Sequence, residues 1–169
     1  KLLFSTFKGS GCDIACCDAN HPIIYNKIGK SINIKKVEFN PPFIEHLYLI
    51  YLGKKQNTQT SIENYSKSKF NRDDLIKKIN RITDEFLKCN DLIHFEELLE
   101  EHESIISKAI SINPIQKSTF NKYKDGKIKS LGAWGGDFIL VTSKNKDLTY
   151  FKKKGLKTIL PLSDIVYIN

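Results

Sequence analysis

The sequence predicts an α+β fold, a mainly antiparallel sheet with helices packed on one face, and three observations predict it. Apolar residues recur at helical spacing through the middle of the chain. Short β-branched and aromatic runs stand before and after that stretch. The order along the chain is therefore β-β, several helices, β-β and then further β pieces, the arrangement of an α+β domain.

Taken in order, the first element is a helix from Ser10 to about Asn20. Ser10 can cap it, with Asp13 three residues later in the [ST]-x-x-[DE] pattern. Two strands follow, Ile32 to Phe39 and His46 to Leu52, joined through Pro41–Pro42 and expected to pair antiparallel. The polar loop GKKQNTQTS leads to a short helix near Ile62 to Ser66. Leu75, Ile76, Ile79, Ile82, Phe86 and Leu87 define a longer helix capped by Asn71 or Asp73. Leu92, Phe95, Leu98, Leu99, Ile105, Ile106 and Ala109 define the next, with Glu96, Glu97, Glu100 and Glu101 read as a solvated face. Asn113–Pro114 reads as the cap and first position of a third helix. After Asp125–Gly126 the period returns to strands: KIKSL, the loop GAWGGD, and FILVT. LTYF, KTILP and IVYI supply further strand pieces, with a turn at Lys144 to Lys146.

Length and composition fit one domain over 1–169, without repeats or low-complexity linkers. The chain is 40% hydrophobic and 27% charged, and its longest apolar run, Leu47 to Leu52, is far too short to cross a bilayer. KLLFSTF lacks the apolar core and cleavage site of a secretory signal. The chain begins at Lys1 and holds no methionine, which predicts an upstream segment outside this sequence. The formal charge of +8 comes almost wholly from lysines, the arginines being Arg72 and Arg81. Without the planar fork that reads bases and grips phosphates, the expectation is no nucleic acid and no membrane. Cys12, Cys16 and Cys17 form no framework of spaced pairs with Cys89, so a reduced, cytoplasmic protein is expected. Cys12 and Cys16 share a helix face, but Cys17 lies about 100° round it. With His21 on the other side, no metal set forms, and the three thiols read as small buried apolar groups.

Two stretches carry a resemblance. GSGCDIA from Gly9 and LGAWGGDFILVTS from Leu131 together resemble the second half of the GHMP kinases, the superfamily of galactokinase, homoserine kinase, mevalonate kinase and phosphomevalonate kinase. The GSG-x-D-I-A form is especially similar to a group of Bacteroidetes kinases with a GYDIA signature. YLGKKQNTQTSIENY between the two is also similar to the strand, loop and helix start of that family. The resemblance implies a GHMP kinase C-terminal-domain-like fold and an ATP-dependent kinase acting, with Mg²⁺, on a small hydroxylated, mevalonate-like metabolite. It implies that Asp13 is the catalytic base or orients the hydroxyl. It also places Gly9, Ser10, Gly11, Gly132, Ala133, Gly135 and Gly136 near substrate or phosphate. The Pro-x-x-x-Gly-Leu-Gly-Ser-Ser loop that holds ATP in that family is absent here, as is a G-x-x-x-x-G-K-[ST] loop. The chain is thus expected to be the C-terminal half of such a kinase, inactive without its N-terminal half and self-associating when that half is missing. Trp134, and Asp137 with its charge, depart from the small, uncharged loop of the family.

The residues themselves leave alternatives open. A helix start favours an ionised aspartate, which suits a base that accepts a hydroxyl proton during phosphoryl transfer. Asp13 equally suits a plain capping box with Ser10. GAWGGD could present backbone N–H groups to phosphate or be an ordinary glycine hairpin. Lys54 and Lys55 could attract an anion or be solvated loop lysines. Trp134 suits a cavity wall or a packing anchor, and His21, His46, His94 and His102 read as structural or surface residues. A non-catalytic α+β binding module derived from the same fold is the second reading.

Overall fold

The apolar run Leu47–Tyr51 becomes an inner strand of the main sheet, in a computed structural model that describes residues 10–53, 72–132 and 137–166. The chain forms two compact units: residues 41–162, and residues 1–40 together with 163–169.

In the larger unit, β3 (Leu47–Tyr51) lies antiparallel to β5 (Phe138–Thr142) on one side and to β6 (Ile159–Pro161) on the other. The short β4 (Ile128–Ser130) completes the order β4-β5-β3-β6. Strand side chains alternate between faces. Tyr48 and Ile50 on β3, Ile128 on β4, and Ile139 and Val141 on β5 therefore share one face. They join Phe120, Tyr123, Leu148 and Phe151 in a single buried cluster. Phe151 is fully buried, and its ring lies 4.8 Å from that of Tyr123 and 5.6 Å from that of Phe120.

The opposite face carries Thr142 and Lys129, and both reach α3 (Leu92–Ile110). This helix is capped by Asp91, whose carboxylate accepts the His94 N–H at 2.8 Å. It ends where Ser111 turns left-handed. Before it runs α2 (Arg72–Lys88), joined to α3 by Arg81, which bridges Glu85 and Glu101. Phe95 packs between Phe43 and Phe86 in tilted contacts, its ring centroid 5.0 and 4.9 Å from theirs.

Several expectations are corrected here. The strand expected from Ile32 is β2 (Ser31–Lys36), and it does not pair with β3. It pairs with β1 (Ile23–Ile28), a strand absent from the sequence reading, through the turn Gly29–Lys30. Gly29 takes φ +58, the left-handed geometry that tight hairpins require. The third helix is a single turn, α4 (Ile115–Ser118), with Pro114 as its N-cap, because the chain must leave it to drop Phe120 into the core. LTYF is not a strand: Thr149–Lys153 is helix α5, started by the Asp147 carboxylate accepting the Thr149 N–H at 2.8 Å. Ile165 and Val166 lie outside any strand, and the remainder of IVYI is outside the described residues. So is the helix expected near Ile62. No described helix is long and apolar enough to cross a membrane.

The acidic face of α3 is also corrected. Glu97, Glu100 and Glu101 are exposed, but Glu96 is only 3% exposed. Its carboxylate accepts the Thr142 hydroxyl at 2.6 Å and pairs with Lys144 at 3.0 Å. The nonlocal arrival of Thr142 opposite it satisfies a charge that periodicity alone cannot foresee.

Candidate functional site

The site begins with Gly11. Its φ of 85° is left-handed, a conformation open to glycine at little cost, and it turns the chain into α1 (Cys12–Asp18). Gly11, not Ser10, is therefore the N-cap, and its carbonyl accepts the Ala15 N–H at 3.1 Å. Ser10 sits one residue earlier, where its hydroxyl accepts the Cys12 N–H at 3.2 Å. The expected capping box does not form, because the left-handed glycine moves the helix start by one residue. Asp13 is left in the first turn, exposed, with no hydrogen-bond or ion-pair partner among the described residues.

The hairpin holds this turn from below. Tyr25 and Lys27 stand two apart on β1 and so project from the same face. The Tyr25 hydroxyl donates to the Ser10 carbonyl at 2.6 Å, and the Lys27 ammonium donates to the same oxygen at 3.3 Å. Desolvation, then the neighbouring Cys12 and Asp13, holds the Tyr25 phenol above its ordinary pKa, so it stays a donor. Burial raises the Cys12 thiol as well, with Cys16 and Asp13 adding to it. Cys16 and Cys17 are exposed rather than buried as expected, since α1 has only Ala15 inside. Among the described residues no group of three or more His, Cys, Asp or Glu is placed to hold a metal ion.

Ser10, Gly11 and Asp13 are thus brought together in one turn of the smaller unit. Gly132 belongs to the larger unit, at the end of β4, with φ +68 and, among the described residues, nothing within 4 Å of where a Cβ would stand. β4 and β5 pair antiparallel, and the Leu131 N–H donates to the Phe138 carbonyl at 3.1 Å. Gly9, Lys54, Lys55, Ala133, Trp134, Gly135 and Gly136 lie outside the described residues. Asp137 is half-buried, and its Oδ1 has no partner among the described residues.

Sequence reasoning missed Tyr25 and Lys27. The signal was present in IIYNKI, whose alternation puts Tyr25 and Lys27 on one face once a strand is assigned there. It also missed a half-buried group on the far side of the main sheet. Lys129 donates to His102 Nδ1 at 2.8 Å and to Glu103 at 3.2 Å. Burial, with the Lys129 charge, lowers the His102 pKa to about 4, so the ring is neutral and its Nδ1 accepts. Burial likewise lowers the Lys129 pKa, against the pull of Glu103.

No protein-family profile matches the chain, and no curated protein matches it. Solved structures do. A Lin0012 protein from Listeria innocua superposes with a TM-score of 0.66 at 21% identity, over 90% of this chain and 54% of its own. A mevalonate kinase superposes with a TM-score of 0.56 at 21% identity, over 78% of this chain and 44% of its own. The chain spans about half the length of these structures. Its fold is α+β, built of antiparallel sheets and helices, and it is like that of a part of this mevalonate kinase.

Proposed function

We propose that this chain is the C-terminal half of an ATP-dependent small-molecule kinase. The complete enzyme transfers the γ-phosphoryl group of Mg·ATP to a hydroxyl, or a phosphate, of a mevalonate-like metabolite. The observation that carries the reading is the state of Asp13 in a GHMP-kinase-like fold. Its carboxylate stands in the first turn behind a left-handed glycine, exposed and engaged in no cap. A carboxylate spent on capping would be bonded to a helix N–H; this one is free to meet a substrate hydroxyl.

In the proposed reaction the acceptor oxygen bonds to the γ-phosphorus as the bond to the β–γ bridging oxygen breaks. ADP leaves with that electron pair, and the acceptor proton passes to Asp13. ATP and its Mg²⁺ are held chiefly by an N-terminal half outside this sequence, which is also the main partner of the chain. The exposed Ile32 and Ile34, which share one face of the β1–β2 hairpin, support a surface that such a half, or a second copy, covers. A cytoplasmic enzyme, close to the GYDIA-type group, completes the reading.

One observation favours the second reading, a non-catalytic binding module. Asp137 adds a carboxylate, one oxygen of it buried, at the end of the glycine loop where phosphate would lie. The test is transfer of labelled γ-phosphoryl from Mg·ATP to a panel of hydroxylated metabolites by the protein extended upstream of Lys1. Transfer abolished by Asp13→Ala supports the kinase. Absence of transfer to every acceptor, with Asp13→Ala costing stability alone, supports the module.

A further inference from the structure

Phosphoryl transfer spreads negative charge over the oxygens of the moving group, and a protein that catalyses it places cations there in advance. Asp13 supplies the opposite charge, so the turn that carries it needs a compensating cation close by. The smaller unit offers Lys27, Lys30, Lys35 and Lys36 among its described residues. Lys30 lies in the hairpin turn, and Lys35 and Lys36 lie at the far end of β2. Lys27 alone of these reaches the Ser10–Asp13 turn by a hydrogen bond.

Resting on the kinase reading above, we propose that Lys27 is a phosphate-binding residue of the transfer site and that Tyr25 is its positioning residue. Two donors from one face of β1 converge on a single acceptor, the Ser10 carbonyl. That carbonyl directly precedes left-handed Gly11 and stands three residues before Asp13. An ammonium carries three N–H donors, and the bond to Ser10 uses one. The other two are open to an anion, since the side chain is exposed. The carbonyl thus fixes where the charge stands without consuming it. Tyr25 carries no charge to a ligand; its shorter bond ties the turn that presents Asp13 to the strand that carries Lys27. The ligand class is a phosphate group of Mg·ATP or of a phosphorylated acceptor. Lys27 forms no covalent bond and moves no proton in this scheme.

Calorimetric titration of the protein extended upstream of Lys1, with Mg·ATP and separately with inorganic pyrophosphate, tests the assignment. The variants are Lys27→Met, Lys27→Arg and Tyr25→Phe, each checked for an unchanged thermal midpoint. Affinity for both ligands is expected to fall about tenfold or more in Lys27→Met and to recover to within about threefold in Lys27→Arg. Tyr25→Phe should speed hydrogen exchange at the Cys12 and Asp13 amides and weaken binding less. Should Lys27→Met unfold the hairpin, Lys27→Gln takes its place. Equal Mg·ATP affinity in wild type and the neutral variant overturns the role of Lys27 while leaving the kinase reading intact. Binding of pyrophosphate but not of Mg·ATP, lost in Lys27→Met, supports the anion site and overturns the kinase reading. Binding of neither ligand overturns both.

Discussion

Replacing Asp13 by Ala separates a cap from a catalytic group by comparing two magnitudes. An N-cap aspartate exchanged for a residue without cap function costs typically about 1 kcal/mol of stability. The structure assigns the N-cap to Gly11 and shows no bond from Asp13 to a helix N–H among the described residues. What remains is the attraction of an exposed carboxylate to the helix start, at the low end of about 0.3–1 kcal/mol. The predicted loss for Asp13→Ala is therefore under about 0.5 kcal/mol. Ser10→Ala is the control, because the Ser10 hydroxyl accepts the Cys12 N–H, and its loss should cost about 1 kcal/mol. On activity the order reverses. A general base contributes about 10²- to 10⁴-fold, equivalent to about 3–5 kcal/mol of barrier. Urea unfolding of both variants, set beside phosphoryl transfer by the extended protein, gives the comparison. A loss of 1 kcal/mol or more in Asp13→Ala with turnover within threefold of wild type would refute the reasoning.

Three further outcomes follow from the larger unit. Glu96→Ala removes the acceptor of the buried Thr142 hydroxyl and should cost about 2–4 kcal/mol in urea unfolding, with a double-mutant cycle against Thr142→Val showing coupling above 0.5 kcal/mol; additive effects would contradict it. Gly126→Ala would place a Cβ 2.2 Å from the Thr142 carbonyl oxygen, so the thermal midpoint should fall by several degrees, and an unchanged midpoint would contradict the packing described. The folded pKa of His102, about 4, lies below its ordinary 6.5. Its contribution is therefore fully present above pH 6.5 and lost as pH falls from there through about 4, reaching about 3 kcal/mol. His102→Gln should flatten stability against pH across that window, and a retained acid slope would place the titration elsewhere.

The parts legible in the sequence are those whose signal is local and long. α2 and α3 declare themselves through repeated apolar positions, and Leu47–Tyr51 and Phe138–Thr142 through dense β-branched and aromatic runs. The misses have nonlocal causes. Thr149, Tyr150 and Phe151 have strand composition, yet an Asp147 side-chain bond and the burial of Phe151 make that segment helical. Gly29–Lys30 lacks the Asn-Gly or Asp-Gly signal of a tight hairpin, so β1 went unread and Tyr25 and Lys27 with it. At the site, Gly9 to Asp13 carried its signal in the sequence, but whether Asp13 caps the helix depended on the φ of Gly11, which no pattern records. Glu96 looked solvated for a similar reason: its partner lies 46 residues away.

The most direct measurement is calorimetry of Mg·ATP with two proteins, this chain alone and the chain extended upstream of Lys1. A nucleotide site divided between two halves predicts binding by the extended protein and none, or nearly none, by this chain. Binding by neither protein would contradict the kinase and leave an α+β module whose Asp13 turn serves another ligand.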